Sequence, residues 1–388
     1  MSGDKIRVLH VTGCMNRGGA EVMLMDIYRN ISNDIHFDFL VHYKLNSGIK
    51  AGDFDDEIVR RGARIRHIAS QWDLGLFKYI NQFEEVIRDL GKPHIVHIHM
   101  NSKSGVIALA AKKTGINTVI VHSHANLTIR GSLWTRLLGK LELVFQKKLM
   151  SVAADQFWGC SHEASESLFY KRLLSPEKCT IINNAVDIDS LQNVSTRKVE
   201  ELRASYGINP GTVVLGNVGR VVKHKNVLFL IEVLRVLDRE DRDYVLVFAG
   251  RDEDTDYLND IFLKSKQYQI EHRVKYLGVR DDIGVVMSSF DCFLGPALKE
   301  GFGLVAVESQ AVGLPTILYK GFPKTVDMNV NLVTFINSLD PYKWANLILN
   351  VPKRKSELEQ IKNALITNGF DSASNAANIE RRYKELIK

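Results

Sequence analysis

Short apolar runs rich in β-branched residues alternate with longer segments of helical period along nearly the whole chain, and the alternation occurs in two series. The first series has runs at Ile6–Val11, Phe37–His42, Arg64–Ile68, His94–His99, Thr118–His122, Gln156–Cys160 and Thr180–Ile182. Helical patterns intervene, for example Gly19–Ile31, Phe77–Leu90 and Lys103–Lys113. Repeated strand, helix, strand demands a parallel sheet covered on both faces. Such a sheet binds ligands beyond the carboxyl ends of its strands, where the strand order reverses.

Between Asp187 and Pro210 the pattern pauses in a polar, charged stretch that reads as a linker. A second series follows: Thr212–Val218, Tyr244–Ala249, Val274–Leu277, Cys292–Leu294, Pro315–Leu318 and Leu332–Ile336, with helices such as Asn226–Leu237 and Asp282–Ser288. A chain of 388 residues is too long for one ordinary core. The expected fold is α/β, two Rossmann-like doubly wound domains over 1–188 and 208–370, facing a cleft that closes on its ligands.

Composition narrows the function classes. The net charge of +6 suits an anionic ligand and falls short of a nucleic-acid footprint. Cys14, Cys160, Cys179 and Cys292 form no C-x-x-C pair and read as reduced, buried thiols of a cytoplasmic protein. No stretch has the run of about 18 apolar residues that a membrane span needs, and the N-terminus carries no signal-peptide pattern.

The strongest local signal is Pro296-Ala297-Leu298-Lys299-Glu300-Gly301-Phe302-Gly303-Leu304, running into a helix that carries Glu308. Gly301 and Gly303 let backbone N–H groups approach a ligand, and a helix start favours a diphosphate. Glu308 is placed to accept from a ribose diol, and Glu300 to face what lies beyond the phosphates. The second signal is Gly219-Arg220-Val221-Val222-Lys223-His224-Lys225-Asn226, where cations follow a strand end. Arg220 and Lys225 could hold a diphosphate and stabilise it as a leaving group. The third is Gly18-Gly19-Ala20-Glu21 after the first strand, which lacks the G-x-G-x-x-G spacing of a dinucleotide site.

Histidines form a fourth signal. His97 and His99 alternate along one strand, and His122 and His124 bracket the end of the next. Zinc is the alternative reading, yet no nearby Cys, Asp or Glu completes a ligand set, so no metal is expected. His97 reads as a satisfied core histidine, whereas the side chain of His122 is expected to reach the cleft. The triplets Asp53/Asp55, Asp187/Asp189, Asp241/Asp243 and Asp254/Asp256 sit in polar turns and read as solvated.

With these residues in place, the chain from Val8 to about Arg382 resembles glycosyltransferase family 4, a retaining family with the GT-B fold. The resemblance rests on Gly18-Gly19-Ala20-Glu21, His122, Gly219-Arg220 with Lys225-Asn226, and Glu300-Gly301-Phe302-Gly303 with Glu308. Val121-His122-Ser123-His124, Cys160-Ser161 and Ile182-Asn183-Asn184-Ala185-Val186-Asp187 are similar to the branch that builds bacterial exopolysaccharides and capsules. Ala297 stands where the family commonly has Ser.

The resemblance implies that Arg220 and Lys225 grip the donor diphosphate, Glu308 holds the ribose and Glu300 the donor sugar. Gly219, Gly301, Phe302, Gly303 and Leu304 would complete the donor site. His122 would lie over the reacting sugar, and Gly18 and Gly19 would close from the other wall. It further implies a last helix, about 372–388, crossing back onto the first domain, and metal-free transfer from a UDP-sugar, with no cofactor. The acceptor would be a glycan or a lipid-linked saccharide. A nucleotide-sugar epimerase, a phosphorylase and a catalytically silent binding module are the alternatives.

The predicted helix Gly131–Met150 places Arg136, Lys140, Lys147 and Lys148 among Leu133, Trp134, Leu137, Leu138, Leu141, Val144, Phe145 and Leu149. It also takes Arg130 as a flanking cation. A basic amphipathic helix either lies on an anionic bilayer, here at the inner face of the membrane, or packs on the sheet with its polar face wet.

Overall fold

The computed structural model describes residues 5–45, 51–125, 127, 132–240, 242–351, 354 and 357–387. Arg130, Gly131, Asp241 and Lys388, named above, lie outside the described residues. The chain forms two compact units. One comprises Met1–Ala185 with Ser372–Lys388, and the other comprises Val186–Asp371.

The first unit carries a seven-stranded parallel sheet of β1 (Ile6–Thr12), β2 (Ile35–Tyr43), β3 (Ile65–Ala69), β4 (Ile95–Ile98), β5 (Thr118–Ser123), β6 (Gln156–Gly159) and β7 (Cys179–Ile181). Their order is β3-β2-β1-β4-β5-β6-β7, so the direction of progression reverses between β1 and β4. The second unit holds six parallel strands, β8 (Val213–Val218), β9 (Tyr244–Ala249), β10 (Val274–Tyr276), β11 (Cys292–Gly295), β12 (Thr316–Tyr319) and β13 (Val333–Ile336). Their order is β10-β9-β8-β11-β12-β13, and the reversal falls between β8 and β11.

Side-chain alternation explains why both faces need helices. Along β9, Val245, Val247 and Ala249 enter one core cluster while Tyr244, Leu246 and Phe248 enter another. Along β1, Leu9 and Val11 face one core and Ile6 and Val8 the other. A strand buried on both faces reads as a continuous apolar run, which is the pattern seen in the sequence. Of the cysteines, Cys160 and Cys292 are buried, but Cys14 and Cys179 are only half-buried.

The stretch expected to be a linker is part of the second unit. It contains the helices Ile188–Gln192 and Thr196–Ser205, and Ile188, Leu191, Leu202 and Ile208 are buried in that unit's core. Val199, Leu202 and Tyr206 have helical spacing, but the charged majority around them hides the stripe. The boundaries therefore fall at 185/186 and 371/372, not at 188 and 208.

Asp53, Asp189 and Asp256 are exposed, as a solvated turn implies, but other members of the triplets have structural roles. Asp187 and Asp254 cap helix N-termini, accepting from Ser190 N and Tyr257 N. Asp55 is buried and bonded to His67 at 2.7 Å.

The helix Ser372–Leu386 packs on the first sheet. Ala376, Ile379 and Tyr383 are buried there beside Trp158, with the Tyr383 and Trp158 rings stacked at 5.7 Å. Asn375 Nδ2 donates to Asn183 O at 2.7 Å. Among the described residues, no helix is long and apolar enough to cross a membrane.

Candidate active site

In the second unit β8 and β11 are hydrogen-bonded neighbours, with Leu215 opposite Cys292 and Gly216 opposite Phe293. The two loops that leave their carboxyl ends therefore start side by side at the point where strand order reverses. Those loops are the two strongest sequence signals. They are tied together: Leu298 N donates to His224 O at 2.9 Å, and Lys225 forms an ion pair with Glu300. The partners lie 75 residues apart in sequence and are almost enclosed, at 16% and 10% side-chain exposure.

Local conformations account for the residue types. Asn226 precedes the helix Val227–Leu237 in a left-handed conformation, φ +60°, which Asn tolerates better than most residues. Arg220 lies on a segment pinned at both ends, Gly219 N to Ala249 O at 2.9 Å and Val221 N to Arg251 O at 2.8 Å. Its guanidinium meets Glu253 at 2.8 Å on a half-exposed surface. Gly303 caps the helix Leu304–Ala311 at φ +90°, and a Cβ there would strike the Phe322 ring at 2.6 Å. Glu300 N donates to Gly321 O at 2.9 Å, fixing the loop from the far side.

Gly301 behaves differently. A Cβ there would meet nothing within 4 Å, so packing does not demand a glycine. Glu308 is the fifth residue of the helix Leu304–Ala311 and is half-buried. The ring of Phe302 stacks on Phe370 at 5.5 Å, and Phe302 and Leu304 both pack against the unit's core. Their side chains serve packing; what they offer a ligand is backbone.

In the first unit, Gly18 caps the helix Gly19–Asn30 after β1. A Cβ on Gly18 would collide with the Glu21 carboxylate at 2.3 Å, whereas Gly19 borders open space.

The side chain of His122 points into the interior of the first unit. His122 lies inside β5 and is fully buried, its ring stacked 5.3 Å from His97 and 4.1 Å from His124. It shares a sheet face with Ile120, which belongs to the core beneath the last helix. His124, one residue past the strand, keeps some exposure. His97 is not fully satisfied either. Its Nδ1 meets Tyr383 Oη at 2.6 Å while its Nε2 has no partner.

Sequence reading missed His10. It pairs with His97 across β1 and β4, and its Nδ1 lies 3.0 Å from His99 Nε2. His99 Nδ1 in turn lies 2.8 Å from His124 Nε2. Burial holds His10 down to about 3 and His124 to about 4, and keeps His97, His99 and His122 well below the usual imidazole value. All five rings are neutral at pH 7.

Comparison with known proteins fits this architecture. Residues 17–190 match the model of "Glycosyltransferase Family 4", and residues 198–367 match that of "Glycosyl transferases group 1". EpsF of Bacillus subtilis (strain 168), a glycosyltransferase by name, is 30% identical over 99% of this chain and 97% of its own. CapH of Staphylococcus aureus, a capsular polysaccharide biosynthesis glycosyltransferase, is 23% identical over 91% of this chain and 92% of its own. Among solved structures, Anabaena HepE in complex with UDP and glucose superposes with a TM-score of 0.75 at 20% identity, covering 98% of this chain and 100% of that one. The fold is GT-B, and the protein is a glycosyltransferase related to enzymes of polysaccharide biosynthesis. With a full-length relative at this identity and both halves matched, the chain belongs to glycosyltransferase family 4.

Proposed function

We propose that this enzyme transfers a hexosyl or N-acetylhexosaminyl group from a UDP-sugar to a glycan or lipid-linked acceptor, with retention of configuration. The observation that carries the reading is the pair of cross-linked loops at the reversal point of the second sheet. Arg220 and Lys225 supply two cations, and the start of the helix Leu304–Ala311 supplies uncovered N–H groups. That is the electrostatic pattern a departing nucleoside diphosphate requires, and it needs no metal to balance the charge.

Glu300, paired with Lys225, reaches the donor sugar's hydroxyls, and Glu308 takes the ribose. The open surroundings of Gly301 suit a ligand pressed against backbone. The leaving phosphate accepts the acceptor's proton on the face it departs from, which preserves the anomeric configuration. HepE, solved with UDP and glucose, supports the donor class, and CapH supports a surface polysaccharide as the destination.

The direct test offers a panel of UDP-, GDP- and ADP-sugars with a lipid-linked acceptor and reads the new linkage by proton NMR. An α-linked product from an α-configured UDP-sugar is expected. A β-linked product, or donor epimerised with no acceptor present, would rule the reading out.

The same reading places the protein at an anionic membrane, where a lipid-linked acceptor resides. In the helix Leu133–Ala153 only Gln146, Met150 and Ala153 are fully buried, and Gln146 packs on the helix Ser104–Lys113. The preceding turns expose Leu133 at 81%, Trp134 at 74%, Leu138 at 63% and Leu141 at 60%. Packing on the sheet therefore does not account for this apolar face. Arg136, Lys140 and Lys148 are exposed alongside it, a combination that suits acidic lipid. Neutralising Arg136, Lys140, Lys147 and Lys148 together is expected to release the protein from anionic vesicles in flotation. Unchanged flotation would remove the membrane from the account.

A further inference from the structure

Three neighbouring strands of the first sheet present histidines on one face: His10 on β1, His97 on β4 with His99 just beyond it, and His122 on β5 with His124 just beyond it. The helix bearing Tyr383 covers the same face. If packing alone were at issue, apolar side chains would fill this layer at lower cost, because each buried polar atom without a partner costs stability. Among the described residues, five ring nitrogens here lack any partner: His10 Nε2, His97 Nε2, both nitrogens of His122, and His124 Nδ1.

We propose that His99, His122 and His124 form a binding site for one transition-metal ion that favours imidazole, with Zn²⁺ as the representative. These three residues each offer a ring nitrogen, and the three nitrogens lie within 4.8 Å of one another. His99 Nδ1 and His124 Nε2, 2.8 Å apart, approach the spacing of about 3.3 Å between ligands of a tetrahedral zinc with bonds of about 2.0–2.1 Å. His122 has both nitrogens unpartnered and stacks against His124, so it supplies the third ligand.

The surrounding groups provide the support that metal-bound histidines need. Coordination through His99 Nδ1 leaves its Nε2–H to donate to His10 Nδ1, which fixes both tautomers. The His124 backbone is held by Asn101 Oδ1, which accepts from its N–H at 2.8 Å. The partial exposure of His124 gives the ion a route in. An all-nitrogen ligand set excludes Mg²⁺ and Ca²⁺, which require oxygen, and favours Zn²⁺, Cu²⁺, Ni²⁺ or Co²⁺. A second buried group, His10, His97 and His99, shares His99, but His97 is already engaged by Tyr383. The proposal is independent of the donor-site reading. It uses no residue of Gly219–Asn226 or Pro296–Glu308 and gives the ion no step in transfer.

The test uses the full chain without a histidine tag, stripped with EDTA and titrated with Zn²⁺. One equivalent is expected to survive gel filtration. The unfolding midpoint should rise by roughly 5–10 °C at a hundredfold excess over Kd. X-ray absorption should show at least three imidazole nitrogens at about 2.0–2.1 Å. His124→Gln should lose the retained equivalent and the midpoint shift, while His272→Gln, on an exposed histidine, should keep both. Should His124→Gln fail to fold, the coordination measured in the wild type decides. Absence of stoichiometric zinc, fewer than three imidazole ligands, or full retention in a folded His124→Gln would overturn the proposal.

Discussion

Glu300→Ala is expected to lower turnover by about 10²–10³-fold, the usual consequence of removing one preorganised electrostatic group from a transition state. The side chain is nearly enclosed and paired with Lys225, so its removal has two effects. In the proposed reaction it deletes the acceptor for the donor sugar's hydroxyls, and it frees the Lys225 ammonium to move from its present position. Glu300→Gln keeps the shape and loses the charge; it should recover the fold fully and the rate only in part. The loop's remaining anchors, Glu300 N to Gly321 O and Leu298 N to His224 O, use backbone atoms and survive the change. The chain is therefore expected to fold, with an unfolding midpoint lowered because the enclosed Lys225 ammonium loses its partner. Initial-rate kinetics with saturating donor checks this, and wild-type turnover in Glu300→Ala would refute the role.

The second large effect is structural. Gly250→Ala is expected to destabilise the second unit by about 3 kcal/mol or more, combining overpacking with an unfavourable backbone conformation. Gly250 has φ +144°, and a Cβ there would sit 1.9 Å from Gly219 O, a backbone atom that cannot swing aside. Gly219 leads directly into Arg220, so relief of the clash pushes the arginine segment off its hydrogen bonds with Ala249 and Arg251. Both a lowered denaturation midpoint and weaker UDP binding should follow, readable by urea denaturation and calorimetry. If affinity and stability were both unchanged, the claim that Gly250 shapes the arginine loop would be wrong.

The strands were legible because a parallel sheet covered on both faces writes itself as uninterrupted apolar runs, as at Tyr244–Ala249. The two site loops were legible for a related reason. Glycines and charges immediately after such runs have few packing explanations, and Gly301 has none. The segment after Asp187 was not legible, since Val199, Leu202 and Tyr206 make a thin stripe on an otherwise charged helix. Histidine placement was the other gap. Whether His122 faces ligand or core depends on which helix covers that face of β5, and the cover is Tyr383's helix, more than 200 residues downstream. His10 joins His97 and His99 only because β1 and β4 are neighbours, a fact of strand order that no local pattern encodes.

In the proposed reaction the loops after β8 and β11 together hold the donor's diphosphate. A crystal structure with UDP bound tests it most directly. The diphosphate is expected within hydrogen-bonding distance of Arg220, Lys225 and the N–H groups that open the helix Leu304–Ala311, with the ribose at Glu308. A nucleotide seated elsewhere, with those groups still paired among themselves, would contradict it.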